Sequence, residues 1–359
     1  MVVKKSKELL KNIPSNDSCK LGLLSKSNLL WTPSPWSKPI DPEVFFPQKP
    51  YEQLLADLGW EDPFEWLDHW INRGGINIAS SAWPFRPKSD WLWGLALPFL
   101  SDLERYLINS ETPVLYGISG LPGCGKTSFG KWLEVAANEL SWPLTVISMD
   151  DFYLPSRQMD EAMAGNPWNA PRGLPGSHSI NLLEETIDNW LQTGDLLTPK
   201  FDKALRNGLG ERCGWSHSQP KALVIEGWFL GCPTAEKKHF KINKGEGLSK
   251  PLRKDEIEYQ IVIQESLKRY QSIWNRFKHI WHLKAVNFTC TSNWKRQQEM
   301  AMFRERGASL KDESLDSFIR MVQTSIPQGS LESIEADVVI HINSLRRIQW
   351  VGRKKDQPS

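Results

Sequence analysis

Cysteine is scarce in this sequence, and no two cysteines are close enough to form a redox or zinc motif. The five cysteines are scattered over 359 residues, and no C-x-x-C pair occurs. An odd, dispersed set fits neither a disulfide framework nor a zinc knuckle. We therefore expect a protein of a reducing compartment, and cytoplasmic is the location that this favours.

Long apolar runs and internal repeats are also lacking. The longest apolar run near the start covers residues 21–24, which is too short for a secretory signal, and no later run is long enough for a membrane span. Residues 1–40 are polar and rich in Lys and Ser, which predicts a mobile leader. An organelle targeting peptide is the alternative, although these residues contain no Arg.

Neither sign of charge is in excess. Lys and Arg number 44 against 42 Asp and Glu, and 40% of the residues are hydrophobic, with a mean hydropathy of -0.44. This composition is typical of a globular protein and excludes a disordered chain. The balance also argues against nucleic acid or an anionic membrane as a partner, so any phosphate site must be local.

Residues 41–109 are rich in tryptophan and show three helix-like segments, at 51–59, 63–73 and 91–108. Trp66 and Trp70 are four residues apart and therefore share one helical face. The tryptophans could stack on bases, but Lys and Arg do not alternate with them, which favours packing. We expect this segment to be a helical extension packed on a domain formed by residues 110–359.

Beyond residue 110 the pattern changes to apolar runs that alternate with helical periodicity. The predicted strands are 114–118, 145–148, 222–225, 281–286, 338–342 and 348–351, and the predicted helices are 127–140, 258–277, 293–305 and 312–323. This alternation predicts a mostly parallel α/β sheet with helices on both faces. Residues 236–254, rich in Lys and Gly, predict a surface insertion, either a solvated loop or a basic docking loop.

A phosphate-binding motif follows the first of these strands. The run from Gly120 to Thr127 satisfies G-x-x-x-x-G-K-[ST], the P-loop of NTPases. The residues predicted to hold a nucleotide are Gly120, Leu121, Pro122, Gly123, Cys124, Gly125, Lys126, Thr127 and Ser128. Lys126 is expected to reach the β- and γ-phosphates, and the Thr127 hydroxyl to ligate Mg²⁺. No N-K-x-D motif for guanine occurs, which disfavours a GTPase switch.

Three acidic residues follow predicted strands. Asp150 and Asp151 end the second strand, and Glu226 ends the strand at 222–225. Carboxyl ends of parallel strands form the ligand crevice, so these groups should lie near the γ-phosphate. Asp150 is our candidate base for an alcohol acceptor, and Asp151 and Glu226 are candidate Mg²⁺ ligands. Turn capping by the aspartates, and a strand end without function for Glu226, are the alternatives.

Four motifs in order resemble the D-glycerate 3-kinase family of plants, fungi and cyanobacteria. They are the DDFYL run from Asp150, the RGLPGSH run from Arg172, the PKFDK run from Pro199 and the IEGW run from Ile225. The resemblance spans about residues 92–348. More distantly, the same layout resembles uridine kinase and phosphoribulokinase.

The resemblance implies transfer of the γ-phosphoryl group of ATP to the 3-hydroxyl of D-glycerate, with Mg²⁺, giving 3-phosphoglycerate. In photosynthetic cells this is the closing step of photorespiratory carbon recovery, and in a plant or alga it implies the plastid stroma. The proton-accepting role falls on Asp150. The helix at 293–305 is similar to the family's lid, which adds Arg304 as a catalytic residue. The substrate-binding residues that the resemblance implies are Tyr153, Arg172, His178, Lys203 and Arg212.

Two other functions are open at the sequence level. One is a related kinase that acts on another small alcohol, such as a nucleoside or a sugar phosphate. The other is a regulator that binds nucleotide without turnover. The sequence makes no prediction of oligomeric state.

Overall fold

The computed structural model describes residues 48–73, 89–109, 112–234, 248, 250–310 and 312–358. The predicted leader at 1–40 lies outside the described residues, and so does most of the predicted insertion at 236–254. The helices are α1 Gln48–Asp57, α2 Pro63–Asn72, α3 Leu97–Asn109, α4 Lys126–Glu139, α5 Ser156–Met163, α6 Ile180–Thr193, α7 Lys254–Lys268, α8 Gln271–Trp274, α9 Cys290–Arg306, α10 Asp312–Thr324 and α11 Gln328–Glu332. The strands are β1 Val114–Gly120, β2 Leu144–Ser148, β3 Leu196–Asp202, β4 Glu211–Ser218, β5 Ala222–Gly227, β6 His279–Ala285, β7 Val338–Ile342 and β8 Ile348–Arg353.

Six strands form one sheet in the order β2-β5-β1-β6-β7-β8. All neighbouring pairs are parallel except β7 and β8. Every residue of β1 and β5 is buried, as expected for central strands covered on both faces. The predicted fold class, a mostly parallel α/β sheet of the P-loop type, is confirmed.

The N-terminal helices share a core with the sheet. A π-helical turn, Leu92–Ala96, runs directly into α3, and Phe99 of α3 makes edge contacts with Tyr116 of β1 and Trp281 of β6. Trp66 and Trp70 of α2 are fully buried. These two tryptophans therefore pack in the core, which is the interpretation that the absence of alternating Lys and Arg favoured.

The β3–β4 hairpin lies apart from the main sheet and was not predicted from the sequence. Its strands pair antiparallel, with a register shift between Lys200 and Phe201. The buried and exposed positions of β3 do not alternate cleanly, and Pro199 lies within the strand. Both features weaken the periodic signal on which a strand prediction depends. Helix α6, between the second and third family motifs, was also missed.

The single helix predicted at 258–277 is wrong, because the structure has two helices, α7 and α8. The chain tightens between them, where Arg269 N donates to Ser266 O and Tyr270 N donates to Leu267 O. Tyr270 is fully buried at this break and points toward the loop that contains His178. The segment just before α7 is held by Arg320 of α10. The Arg320 side chain donates to the carbonyl oxygens of Lys250 and Pro251 at 2.8 and 2.7 Å.

Candidate active site

Three strand ends meet at one edge of the sheet. In the parallel registers, Glu226 of β5 lies beside Ile118 of β1 and beside Ser148 of β2. The phosphate loop leaves β1 two residues after Ile118, and Asp150 follows β2 two residues after Ser148. The loop and the candidate base therefore lie at the same edge of the sheet, as the sequence predicts.

The phosphate loop depends on two glycines in the left-handed region. Gly123 has φ 77° and Gly125 has φ 116°, which other residues rarely adopt. A Cβ on Gly123 would lie 2.7 Å from the Cβ of Trp294, and one on Gly125 would lie 2.9 Å from the indole of Trp91. The loop is thus held between two tryptophans, at a separation that only glycine permits.

Lys126 begins α4 and is buried, with 7% of its surface exposed. Its Nζ donates to the carbonyl oxygens of Gly120 at 2.6 Å and Leu121 at 3.2 Å, and it lies 4.0 Å from Glu226 Oε2. The amino group is therefore fixed inside the turn of the loop. A cation in this position can bind phosphate oxygens that enter the loop.

Thr127 and Glu226 bring two hard oxygen ligands together. The Thr127 hydroxyl donates to Glu226 Oε1 at 2.7 Å. Mg²⁺ is usually held by one or two protein oxygens together with phosphates and waters, so this donor set suits it. Among the residues that the structure describes, no cluster of three or more His, Cys, Asp or Glu side chains is arranged to bind a metal.

Asp150 forms an ion pair with Lys203, with Oδ2 and Nζ 2.5 Å apart. Burial opposes ionisation of Asp150, but the Lys203 ammonium and the neighbouring His178 hold the pKa of that carboxyl well below its usual range. Burial likewise disfavours the charged form of Lys203, yet the attraction of Asp150 raises the pKa of the amine. Both groups are therefore charged near neutral pH.

Asp151 points away from this pair toward two backbone amides. Its Oδ2 accepts from Ser148 N at 3.2 Å, and its Oδ1 accepts from Phe201 N at 3.3 Å. Burial raises the pKa of Asp151 to about 6, although these hydrogen bonds act in the opposite direction. Asp151 thus ties the end of β2 to the β3–β4 hairpin.

His178 lies between two tyrosines. Its ring stacks on Tyr153, with centroids 4.5 Å apart, and its Nδ1 is 2.9 Å from the hydroxyl of Tyr270. The Tyr270 oxygen already accepts a hydrogen bond from Gly176 N. We therefore infer that the Tyr270 hydroxyl donates its hydrogen bond to His178 Nδ1, which acts as the acceptor. Burial lowers the pKa of His178, which leaves the neutral ring with its proton on Nε2.

Arg172 and Arg212 are anchored by backbone carbonyls. Arg172, which is 2% exposed, donates through Nη1 to Gly208 O and Leu209 O, both at 2.7 Å. Arg212 donates through Nη2 to Tyr153 O at 2.8 Å. Each guanidinium also has a buried nitrogen, Arg172 Nη2 and Arg212 Nε, without a hydrogen-bond partner among the described residues.

Comparison with known proteins gives relatives that are kinases. The chain is 28% identical to the chloroplastic D-glycerate 3-kinase of Arabidopsis thaliana, over 58% of this chain and 45% of that protein. It is 27% identical to the Saccharomyces cerevisiae protein named "Probable ATP-dependent kinase TDA10", over 65% of this chain and 83% of that protein. No protein-family model matches the chain.

Comparison with solved structures gives proteins that share this fold. The D-glycerate 3-kinase of Cryptococcus neoformans superposes with a TM-score of 0.59 at 23% identity, covering 71% of this chain and 96% of the other. The chain has the fold of the P-loop kinases and is similar in sequence to a D-glycerate 3-kinase. The resemblance that its motifs predicted is thereby confirmed, and the kinase relatives imply the use of ATP.

The helix predicted to resemble the family's lid is α9. Its Trp294 packs against the phosphate loop, and its Arg306 binds Asp202 at the end of β3 with 2.6 Å between Nη2 and Oδ2. Arg304, predicted as catalytic, is exposed on the same helix. The helix thus bridges the phosphate loop and the hairpin that presents Lys203.

Several residues of this region were missed by sequence reasoning. Arg346, in the turn between β7 and β8, donates to Gly123 O at 2.7 Å and lies over the Trp294 ring. Tyr270 supports His178, and Lys295 is buried in α9. Of these residues, only Lys295 could have been found from the sequence, because it lies within the helix that resembles the family's lid.

No helix, within the part of the chain that the structure describes, is both long enough and apolar enough to span a bilayer.

Proposed function

We propose that this kinase transfers the γ-phosphoryl group of ATP to the 3-hydroxyl of D-glycerate, giving 3-phosphoglycerate and ADP. The observation that carries the proposal is the pair of unpartnered buried guanidinium nitrogens, on Arg172 and Arg212, beside the Asp150–Lys203 ion pair. A buried donor without a partner costs roughly 1–3 kcal/mol. A small ligand rich in acceptor oxygens would remove that cost.

D-glycerate suits these donors by its size and charge. Its carboxylate calls for charged donors, which the guanidinium groups supply, and its hydroxyls can pair with neutral His178 and with Asp150. The name of the Arabidopsis relative agrees with this choice of acceptor. Acceptors without a carboxylate would leave the buried cations without a counter-ion.

In the proposed reaction, Asp150 accepts the proton of the 3-hydroxyl as the oxygen attacks the γ-phosphorus. The new bond joins the substrate oxygen to phosphorus, and the bond from phosphorus to the β-phosphate oxygen breaks. Lys203 keeps Asp150 ionised and oriented for this transfer. Lys126 binds the phosphate oxygens on which negative charge develops.

Mg²⁺ would be held by Thr127 and Glu226, and it would neutralise charge on the phosphates. Because both oxygens of Asp151 bind backbone amides, we assign Asp151 the positioning of Asp150 and the hairpin rather than direct ligation. Arg304 would add a cation over the transferring group when α9 closes on the nucleotide.

Product analysis tests the proposal. Purified protein is incubated with Mg-ATP and D-glycerate, and 2-phosphoglycerate is resolved from 3-phosphoglycerate by chromatography. We expect 3-phosphoglycerate. Parallel incubations with uridine and with ribulose 5-phosphate distinguish another alcohol acceptor, and ATP binding without transfer to any acceptor would instead indicate a regulator.

A further inference from the structure

A lysine that no motif assigns lies buried beside the proposed acceptor site. Lys295 is in the first half of α9, and only 5% of its side chain is exposed. Its Nζ is 2.6 Å from Glu299 Oε1, one helical turn along, and 4.7 Å from the ring centre of Phe318 on α10. A buried lysine is uncommon and costly unless charged partners compensate it.

The charges around Lys295 do not compensate it fully. The charged groups that face it are Glu299 on its own helix, Lys203 in the β3–β4 loop and Arg172 in the loop before α6. Glu299 also uses Oε2 to accept the amide of Leu310 at 2.9 Å. Lys203 is itself paired with Asp150 at 2.5 Å. Three cations here therefore share two carboxylates, and the remaining positive charge favours an anion.

Arg172 adds a donor close to Lys295. A Cβ on its neighbour Gly173 would lie 3.0 Å from the Phe318 ring, the same ring against which Lys295 Nζ packs. Its Nη1 is held by two carbonyls, so the guanidinium plane is fixed, while the buried Nη2 has no partner among the described residues. An ammonium and a guanidinium that lie near each other can together bind two oxygens of one acid.

We propose that Lys295 and Arg172 together bind the carboxylate of the acceptor substrate, while Asp150 receives its hydroxyl. This inference rests on the proposed function and deepens it, since it names the residues that select an acid over a neutral alcohol. Glu299 is then a positioning residue that holds the Lys295 side chain toward the site.

The balance of these charges gives the site a pH dependence. Burial is the largest cause that lowers the pKa of Lys295, and Lys203 and Arg172 lower it further against the attraction of Glu299, to about 8. The ammonium that binds a carboxylate is therefore present below pH 8 and is lost above it. If only the charged form binds, the KM for D-glycerate rises about 10-fold between pH 7 and pH 9.

Steady-state kinetics of Lys295→Met and Lys295→Arg test the inference in the full chain. In Lys295→Met we expect the KM for D-glycerate at pH 7 to rise roughly 10- to 100-fold, with kcat and the KM for ATP nearly unchanged. Lys295→Arg keeps the charge, so its KM should stay near that of the wild type and should no longer rise from pH 7 to pH 9. Lys254→Met, the same change at a 91% exposed lysine of α7, is the matched control and should match the wild type.

The outcomes separate this inference from the proposed function. If the wild type phosphorylates D-glycerate but Lys295→Met keeps the wild-type KM, the carboxylate site is overturned alone. If the wild type does not phosphorylate D-glycerate, both fall. Should Lys295→Met fail to fold, as its melting temperature would reveal, the pH profiles of the wild type and Lys295→Arg decide, and a flat wild-type profile would overturn the site.

Discussion

At the residue scale, the proposed nucleotide binding depends most on Lys126. Its amino group lies inside the loop, within reach of two carbonyl oxygens and of Glu226. Its charge therefore lies where phosphate oxygens would enter the loop.

We expect Lys126→Ala to lower kcat by roughly 100-fold or more, because the charge that stabilises the phosphoryl group is removed. Lys131→Ala, at an exposed position of the same helix, should leave kcat unchanged. Both are measured by ADP release with D-glycerate as acceptor. A kcat near that of the wild type in Lys126→Ala, in a folded protein, would remove Lys126 from the mechanism.

The residues that the sequence predicts at this scale are those in contiguous motifs. Lys126, Thr127 and Asp150 could be predicted because a short pattern fixes their place just after a strand. Arg346 and Tyr270 were not, because each acts on a partner that is remote in sequence, Gly123 and His178 respectively. No local pattern encodes such a contact.

At the scale of elements, the β3–β4 loop and the end of α9 are packed backbone against backbone. Gly208, in the loop, has φ 89°, and a Cβ placed there would lie 2.4 Å from the carbonyl oxygen of Ser309, just past α9. The same glycine offers its carbonyl to Arg172. The contact therefore couples the proposed lid to an arginine of the acceptor site.

Gly208→Ala should destabilise the protein in two ways. The left-handed backbone costs a residue with a Cβ roughly 1–2 kcal/mol, and the clash with Ser309 adds roughly 1–3 kcal/mol. It should also raise the KM for D-glycerate, because the carbonyl that holds Arg172 must move. Gly165→Ala is the matched control: Gly165 has φ 72° and no neighbour within 4 Å of its Cβ position. Denaturant unfolding of the two variants checks this, and equal losses of stability would contradict the close contact.

Element types follow from periodicity where the strands are buried on both faces, as with β1 and β5. The hairpin could not be predicted in the same way, because its strands are partly exposed and its role is to carry Lys203 to Asp150. The break between α7 and α8 was missed for a related reason. The apolar pattern continues through the break, so periodicity does not show that α7 ends there. Tyr270, which follows α7, is fully buried and contacts His178.

At the scale of the whole molecule, buried tryptophans connect the N-terminal helices to the sheet. The indole nitrogens of Trp66 and Trp70 both donate to Ser101 Oγ of α3, at 2.8 and 2.9 Å. Since α3 packs on β1 and β6, these contacts continue into the core of the sheet.

Trp70→Ala should lower the free energy of unfolding by about 3–5 kcal/mol, through the cavity and the lost hydrogen bond. We expect circular dichroism and ATP binding to be lost in one transition, at lower denaturant than for the wild type. Trp215→Ala, at a 50% exposed position in β4, is the control and should unfold nearly as the wild type does. Loss of helix signal while ATP binding persists would show that the helices are not part of one cooperative unit.

The most direct test of the whole account is the turnover of Asp150→Asn with Mg-ATP and D-glycerate. The substitution keeps the shape of the side chain and removes the proton acceptor. We predict a kcat lower by roughly 10²- to 10⁴-fold with unchanged ATP affinity, while Asp160→Asn, at an exposed position of α5, keeps the wild-type rate. A wild-type kcat in folded Asp150→Asn would contradict the assignment of Asp150 as the base.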